Sequence, residues 1–277
     1  MSSWSGGGSG GCKRPPPILV VKHNSGFFSC CSFLLQKIIE YFNAYSRLPE
    51  AVDTSNQFLW YRPQNYTGNE SIIKYFFTEG SQGIRRTPYP ILFYHFDQFK
   101  DYTALPLVYL KPFIQKYFTV SEGVNTLVKG MESTYLINPK TTCVLFYRGN
   151  DKATETALPE YGDYLARARA LLEENPSMRF LLQSDETEFI EAMSVLPNSF
   201  YMKDEIRHIR RATTSVDLLG RTDTFEFSLR FLAITVIMSQ CRWVICNSGN
   251  CSLWIVLFRG NVNGVQQFLN GVWFSTP

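Results

Sequence analysis

Three stretches in the second half of the chain share one form, an apolar run that breaks into a polar loop and then a helical pattern. They are CVLFYRGN (Cys143 to Asn150), MRFLLQSDE (Met178 to Glu186) and RWVICNSGN (Arg242 to Asn250). Short, near-continuous apolar runs between helical stretches belong to parallel strands covered on both faces. In such sheets the connections are right-handed, and ligands sit beyond the carboxyl ends of the strands. RGNDK, QSDE and NSGN all fall there.

The helices between these strands are readable by spacing. YGDYLARARALLEENP places Tyr164, Leu165, Ala168, Leu171 and Leu172 on one side and stops at Asn175-Pro176. TEFIEAMSVLP, FEFSLRFLAITVIMSQ and CSLWIVLFRG read as further helices, SFYM as a short strand and HIRRATTSVDLLGRTDT as a polar loop. The first half opens in the same way. PILVVKHNSG is a strand and turn, and FFSCCSFLLQKIIEYFNAY follows with Phe33, Leu34, Ile38, Ile39 and Phe42 at helical spacing. QFLWYRP reads as a second strand, and LPLVYLKPFIQKYFTVSEGVNTLVKGM as helical pieces broken by Pro106 and Pro112. The expected architecture is α/β, with two Rossmann-like, doubly wound domains facing a cleft. Residues 1–16, rich in Ser and Gly, form a flexible tail; 17–138 form the first domain and 139–277 the second.

Composition narrows the classes. With 45% apolar and 18% charged residues, the chain can bury a large core. A formal charge of +3 is too small for general nucleic-acid binding, so any anion must be gripped locally. The longest apolar stretch contains Ser239, Gln240 and Arg242 and is too broken to span a membrane, and the tail lacks the apolar core of a secretory signal. A cytoplasmic protein follows. The seven cysteines show no CxxC pair and no zinc-like spacing, which reads as reduced, mostly buried thiols.

The three loops carry complementary chemistry. Arg148 offers a donor fork suited to phosphate, Lys152 adds a point charge, and Gly149 permits close backbone approach. Ser248, Gly249 and Asn250 lie where a strand meets a helix, and free backbone N–H groups there favour phosphate. Ser184 and Asp185 end the intervening strand, where a carboxylate can accept hydrogen bonds from a base or ribose. Two donor loops and one acceptor loop describe a nucleotide. Each loop alone reads first as ordinary turn and cap chemistry, and it is the three together at one sheet edge that favour a ligand.

YRGNDKATET…Y resembles the HxRRxDK…E…Y loop of α-1,6-fucosyltransferases and related nodulation fucosyltransferases. LLQSDE and RWVICNSGNCS resemble their second and third motifs, in the same order, over residues 142 to 260. The resemblance implies the GT-B architecture and a metal-independent, inverting transfer. The donor would be a nucleotide sugar and the acceptor a glycan or glycoprotein. It implies that Arg148 and Ser248 hold the diphosphate, that Lys152 and Glu155 stand beside the acceptor hydroxyl, and that Asp185 meets the base. Tyr164, or in second place Tyr161, takes the loop-tyrosine position. The chain departs from the family at Gly149, where the second arginine is expected, and by one residue missing between Lys152 and Glu155.

The compact size also resembles small soluble glycosyltransferases of large algal viruses, which build capsid glycans in the host cytoplasm. That likeness, with the lost arginine pair, ranks UDP-xylose first and GDP-fucose second as donor. Glu155 is the first candidate base, Asp151 the second and Asp53 the third. His23, Asn24 and Ser25 open a helix beside the expected cleft, where they serve either a ligand or helix capping. The three scattered histidines and the absence of a DxD pair give no metal site.

Overall fold

The structure is a computed structural model that describes residues 16–213 and 223–276. Residues 1–15 of the expected tail, with Lys13 and Arg14, lie outside them, as does the middle of the loop that follows Arg211.

The chain enters through β1 (Ile18–His23) and turns at Gly26 into α1 (Phe27–Tyr45), as its apolar spacing predicts. Ser46 ends α1 in the left-handed conformation, its N–H donating to the Phe42 carbonyl at 2.7 Å. The chain returns through β2 (Ala51–Gln57), parallel to β1. The strand expected at QFLWYRP lies earlier, because Phe58 takes φ 56° and Leu59–Tyr61 curl into a 3-10 turn. Phe58 is instead a buried wedge against Phe27 and Phe76. Then come α2 (Ile73–Phe76), β3 (Phe77–Thr78), α3 (Leu107–Tyr117), β4 (Thr119–Val120) and α4 (Glu122–Thr134). Pro106 caps α3, but Pro112 sits inside it rather than breaking it. Its missing N–H orphans only the carbonyl of Val108, a solvent-facing residue.

The second half holds β5 (Thr142–Tyr147), α5 (Tyr161–Glu174), β6 (Arg179–Ser184), α6 (Thr187–Met193) and β7 (Ser199–Phe200). It continues with α7 (Thr224–Gln240), β8 (Trp243–Asn247), α8 (Asn250–Arg259), β9 (Val265–Leu269) and β10 (Val272–Ser275). The six strands lie in the order β10-β9-β8-β5-β6-β7, all parallel except β10. Chain order runs outward from β5 to β7, then restarts at β8 on the other side. The switch point therefore lies between the carboxyl ends of β5 and β8.

The doubly wound sheet expected in each half forms only in the second. Among the described residues the first half has two two-stranded sheets, β1-β2 and β3-β4. Side chains alternate cleanly across β5. Cys143, Leu145 and Tyr147 pack with α5 and α6, while Val144 and Phe146 join a larger core with α1, α7 and α8. That larger core contains residues of both halves, and the expected boundary at 138/139 falls in the connection before β5. Trp254 of α8 is fully buried against Phe28 and Phe118, and its Nε1 donates to Ser32 Oγ of α1 at 2.9 Å. Burial of one such ring stabilises by about 1.5–3 kcal/mol. The six described cysteines are all buried, as expected.

Candidate active site

A cleft of about 560 Å³ opens at the switch point. Its second-half wall carries Arg148, Asp151, Lys152 and Glu155 from the loop after β5, and Gly249, Asn250 and Cys251 where β8 meets α8. Its first-half wall carries Ser25 from the β1–α1 turn, Ser29 from the first turn of α1, Trp60 after β2, and Phe96, Gln98 and Phe99 from a 3-10 turn. All the charges stand on one wall.

Arg148 leaves β5 with its backbone N–H on Asn247 Oδ1 at 2.9 Å, while Asn247 Nδ2 donates to the Arg148 carbonyl at 2.7 Å. One asparagine at the end of β8 thus stitches the two switch-point strands together. The guanidinium is held by carboxylates on two sides, Nε to Asp185 Oδ2 and a terminal nitrogen to Asp151 Oδ1, each at 2.9 Å. Gly149 donates its N–H to Asp185 Oδ1 at 2.8 Å. A Cβ on Gly149 would stand 2.0 Å from Glu186 Oε1. An arginine at this position would therefore require Glu186 to move.

The loop then curls into a 3-10 turn, Asn150–Thr154, that brings Lys152 beneath the cleft. Lys152 is buried, donates to Glu155 and to Gln98 Oε1 (3.3 Å), and lies over the Phe99 ring at 5.4 Å. Glu155 and Asp151 remain open to solvent, at 40% and 29% exposure. Around the two cations stand three carboxylates, Asp151, Glu155 and Asp185. Asp151 and Glu155 are the two of these carboxylates exposed enough to move.

On the same wall, Gly249 is extended and sits close to Lys152, with 3.3 Å from its Cβ position to Lys152 Cε. The first-turn N–H groups of α8 have no carbonyl partner within their own helix, so they face the same space with the positive end of the helix dipole. Asn250 is anchored by Ser32 Oγ, which donates to its Oδ1 at 2.9 Å. Tyr102, fully buried, bonds Gly249 on both sides, donating from its hydroxyl to the carbonyl (3.1 Å) and accepting from the N–H (3.2 Å). Gln267 accepts from Tyr102 N–H and donates to Ser248 Oγ, both at 2.8 Å. This polar seam fixes the α8 end of the cleft against the first half.

Several expected site residues lie elsewhere. Ser248 is buried, with its hydroxyl donating to the Phe268 carbonyl at 2.9 Å, so it supports the loop instead of lining it. Ser184 is buried beneath the Glu186 N–H, and Asp185 lies under Arg148. Burial pushes the Asp185 carboxyl up, and Arg148 and the Gly149 N–H pull it back only in part. Tyr164 is a core residue with its hydroxyl on the Phe146 carbonyl at 2.9 Å. Tyr161 lines a second cavity of about 460 Å³ across the same loop, with Glu186 and Arg211. Asp53 lies mid-strand in β2, accepts from Ser55 N–H at 2.8 Å, and does not line the cleft.

Ser25 does reach the cleft, but neither it nor Asn24 caps α1. Gly26 is the cap residue, and Asn24 Oδ1 accepts from Leu59 N–H at 2.9 Å. Gln98, Phe99, Phe96 and Trp60 are cleft residues that strand-end reasoning does not reach, because they stand on 3-10 turns or just beyond a strand. Among the described residues, no three His, Cys, Asp or Glu side chains are grouped to hold a metal ion, and no helix is long and apolar enough to cross a membrane.

No protein-family model matches this chain, and no curated protein sequence matches it. Solved structures do. NodZ α-1,6-fucosyltransferase co-crystallised with GDP superposes with a TM-score of 0.51 at 9% identity, covering 93% of this chain and 97% of that one. Fucosyltransferase NodZ from Bradyrhizobium gives 0.48 at 10% identity, over 94% and 99%. The likeness is one of fold.

Proposed function

We propose that the chain is a glycosyltransferase of GT-B type, moving a sugar from a nucleoside diphosphate to a glycan hydroxyl. The observation that carries the reading is the placement of Arg148 and Lys152 beside the α8 N-terminus on one wall of a cleft at the switch point. Donors from the β5 loop and from α8 converge there, as a diphosphate requires. The fold likeness to a GDP-bound fucosyltransferase supports a GDP-sugar as the first donor to test, with UDP-xylose second.

In this reading residues 17–138 form the acceptor side and 139–277 the donor side. Glu155 takes the proton of the acceptor hydroxyl as its oxygen bonds to the anomeric carbon, and the bond to the diphosphate breaks with its electrons on phosphate. Displacement from the face opposite the leaving group inverts the centre. Lys152 and Arg148 carry the negative charge that develops on the leaving group, so no divalent metal is required. Incubation with GDP- and UDP-sugars, with and without EDTA, tests this. Metal-independent release of nucleoside diphosphate supports it, and turnover only with a divalent ion refutes the metal-free part.

A second reading, a non-catalytic nucleotide- or carbohydrate-binding protein of the same fold, is favoured by the carboxylate partners that both cations already have. Saturable binding without turnover would select it.

A further inference from the structure

We propose that Trp60 and Phe96 form the acceptor subsite, a pair of exposed rings on which a neutral pyranose stacks. The inference rests on the transferase reading of the same cleft and names its acceptor class.

Single exposed apolar side chains are ordinary on a protein surface, but aromatic rings that line one cleft together with a few polar groups have the make-up of a ligand site. Trp60 is 43% exposed and Phe96 62% exposed, and both line the cleft that holds Glu155. Neither belongs to a regular element that could hide its ring: Trp60 stands on the turn Leu59–Tyr61, and Phe96 on the turn His95–Phe99. Both turns are anchored. Leu59 N–H bonds Asn24 Oδ1 at 2.9 Å, and His95 N–H bonds Gln36 Oε1 at 2.9 Å. The rings are thus presented on pinned backbone.

Charge identifies the occupant. Every cleft residue contributed by the first half is uncharged, whereas the second-half wall carries Arg148, Asp151, Lys152 and Glu155. A nucleoside diphosphate matches the charged wall. What matches the other wall has an apolar face for the rings and hydroxyls for Ser25, Ser29 and Gln98. A pyranose with mostly equatorial hydroxyls has that form, since its axial C–H bonds make one flat apolar face. An acidic sugar would find no cation on this wall.

The test is binding of the labelled full-length protein to an array of neutral and acidic pyranose oligosaccharides, which needs neither nucleotide nor turnover. Wild type is expected to bind a subset of neutral glycans. Trp60→Ala and Phe96→Ala should each weaken that binding about tenfold, and Trp60→Tyr should restore most of it. GDP binding by the two alanine variants, read as a thermal shift, should match wild type and show that the fold and the donor wall are intact. Binding unaffected by both substitutions, binding confined to acidic glycans, or no glycan binding by wild type would each overturn the platform. Failure of wild type to bind GDP or UDP would instead strike the transferase reading and leave the array to decide the platform.

Discussion

Asp185 clamps the loop after β5 with both of its oxygens, taking Arg148 Nε at 2.9 Å and the Gly149 N–H at 2.8 Å. A buried carboxylate thereby sets the direction of the guanidinium fork at the cleft. Asp185→Asn keeps an acceptor for Gly149 but loses the buried one of the two charged partners of Arg148, and should cost about 1–3 kcal/mol of stability. Nucleotide affinity should fall with it, because the fork is no longer held. Urea unfolding and a GDP titration of the variant measure both, and two unchanged values would show that the clamp positions nothing.

Gly149→Ala places a methyl group 2.0 Å from Glu186 Oε1, which accepts from the Asn150 N–H at 3.0 Å, while the Tyr161 hydroxyl donates to Glu186 Oε2. The loop must shift. We expect a loss of about 1–3 kcal/mol in urea unfolding and a marked loss of nucleotide binding. Wild-type behaviour would mean that Glu186 moves aside freely.

Much of the second half is legible in the sequence because its strands are apolar on both faces and each ends in turn residues. Arg148, Gly149, Asp151, Lys152, Glu155, Gly249 and Asn250 stand at the cleft or bound its loop, as strand-end reasoning expects. Ser184, Asp185, Ser248 and Tyr164 occupy the expected loops and elements, but their side chains turn inward. A linear pattern gives the end of a strand and not the direction of a side chain beyond it. The first half is less legible. Its cleft residues lie on 3-10 turns, which have no periodic signature, and its sheets are two-stranded. The β9–β10 hairpin had a usable signal in Asn270-Gly271, whose positive φ values of 48° and 87° are those a tight hairpin turn needs.

Glu155→Gln keeps an oxygen for Lys152 Nζ to donate to but removes the base. Its effect belongs to the transition state, so kcat should fall about 10²–10⁴-fold while donor affinity stays near wild type. Steady-state kinetics alongside a donor titration separates the two. A wild-type kcat would move the role to Asp151, the other carboxylate of the loop that lines the cleft.

All three histidines, His23, His95 and His208, are held below the ordinary imidazole value, in each case mainly by burial. His95 adds to the effect on His23, and Lys37 to that on His95, opposed by Asp97 and Glu40. The unfolded chain then binds more protons below its own value of about 6.5, so stability is fully present above that pH and falls as pH drops through it. The urea midpoint should decline from about pH 7.5 to about pH 5.5, and His23→Gln with His95→Gln should flatten the slope. A wild-type midpoint that rises with acid would contradict this.

The most direct measurement is calorimetric titration of GDP and UDP, in EDTA, into wild type and into Arg148→Ala and Lys152→Ala. The account predicts saturable binding of one nucleotide per wild-type chain, weakened in each variant by about 1.5–3 kcal/mol, the worth of a charge-assisted contact. Nucleotide binding that survives both substitutions unchanged, or no binding by wild type, would contradict the placement of a diphosphate between the β5 loop and α8.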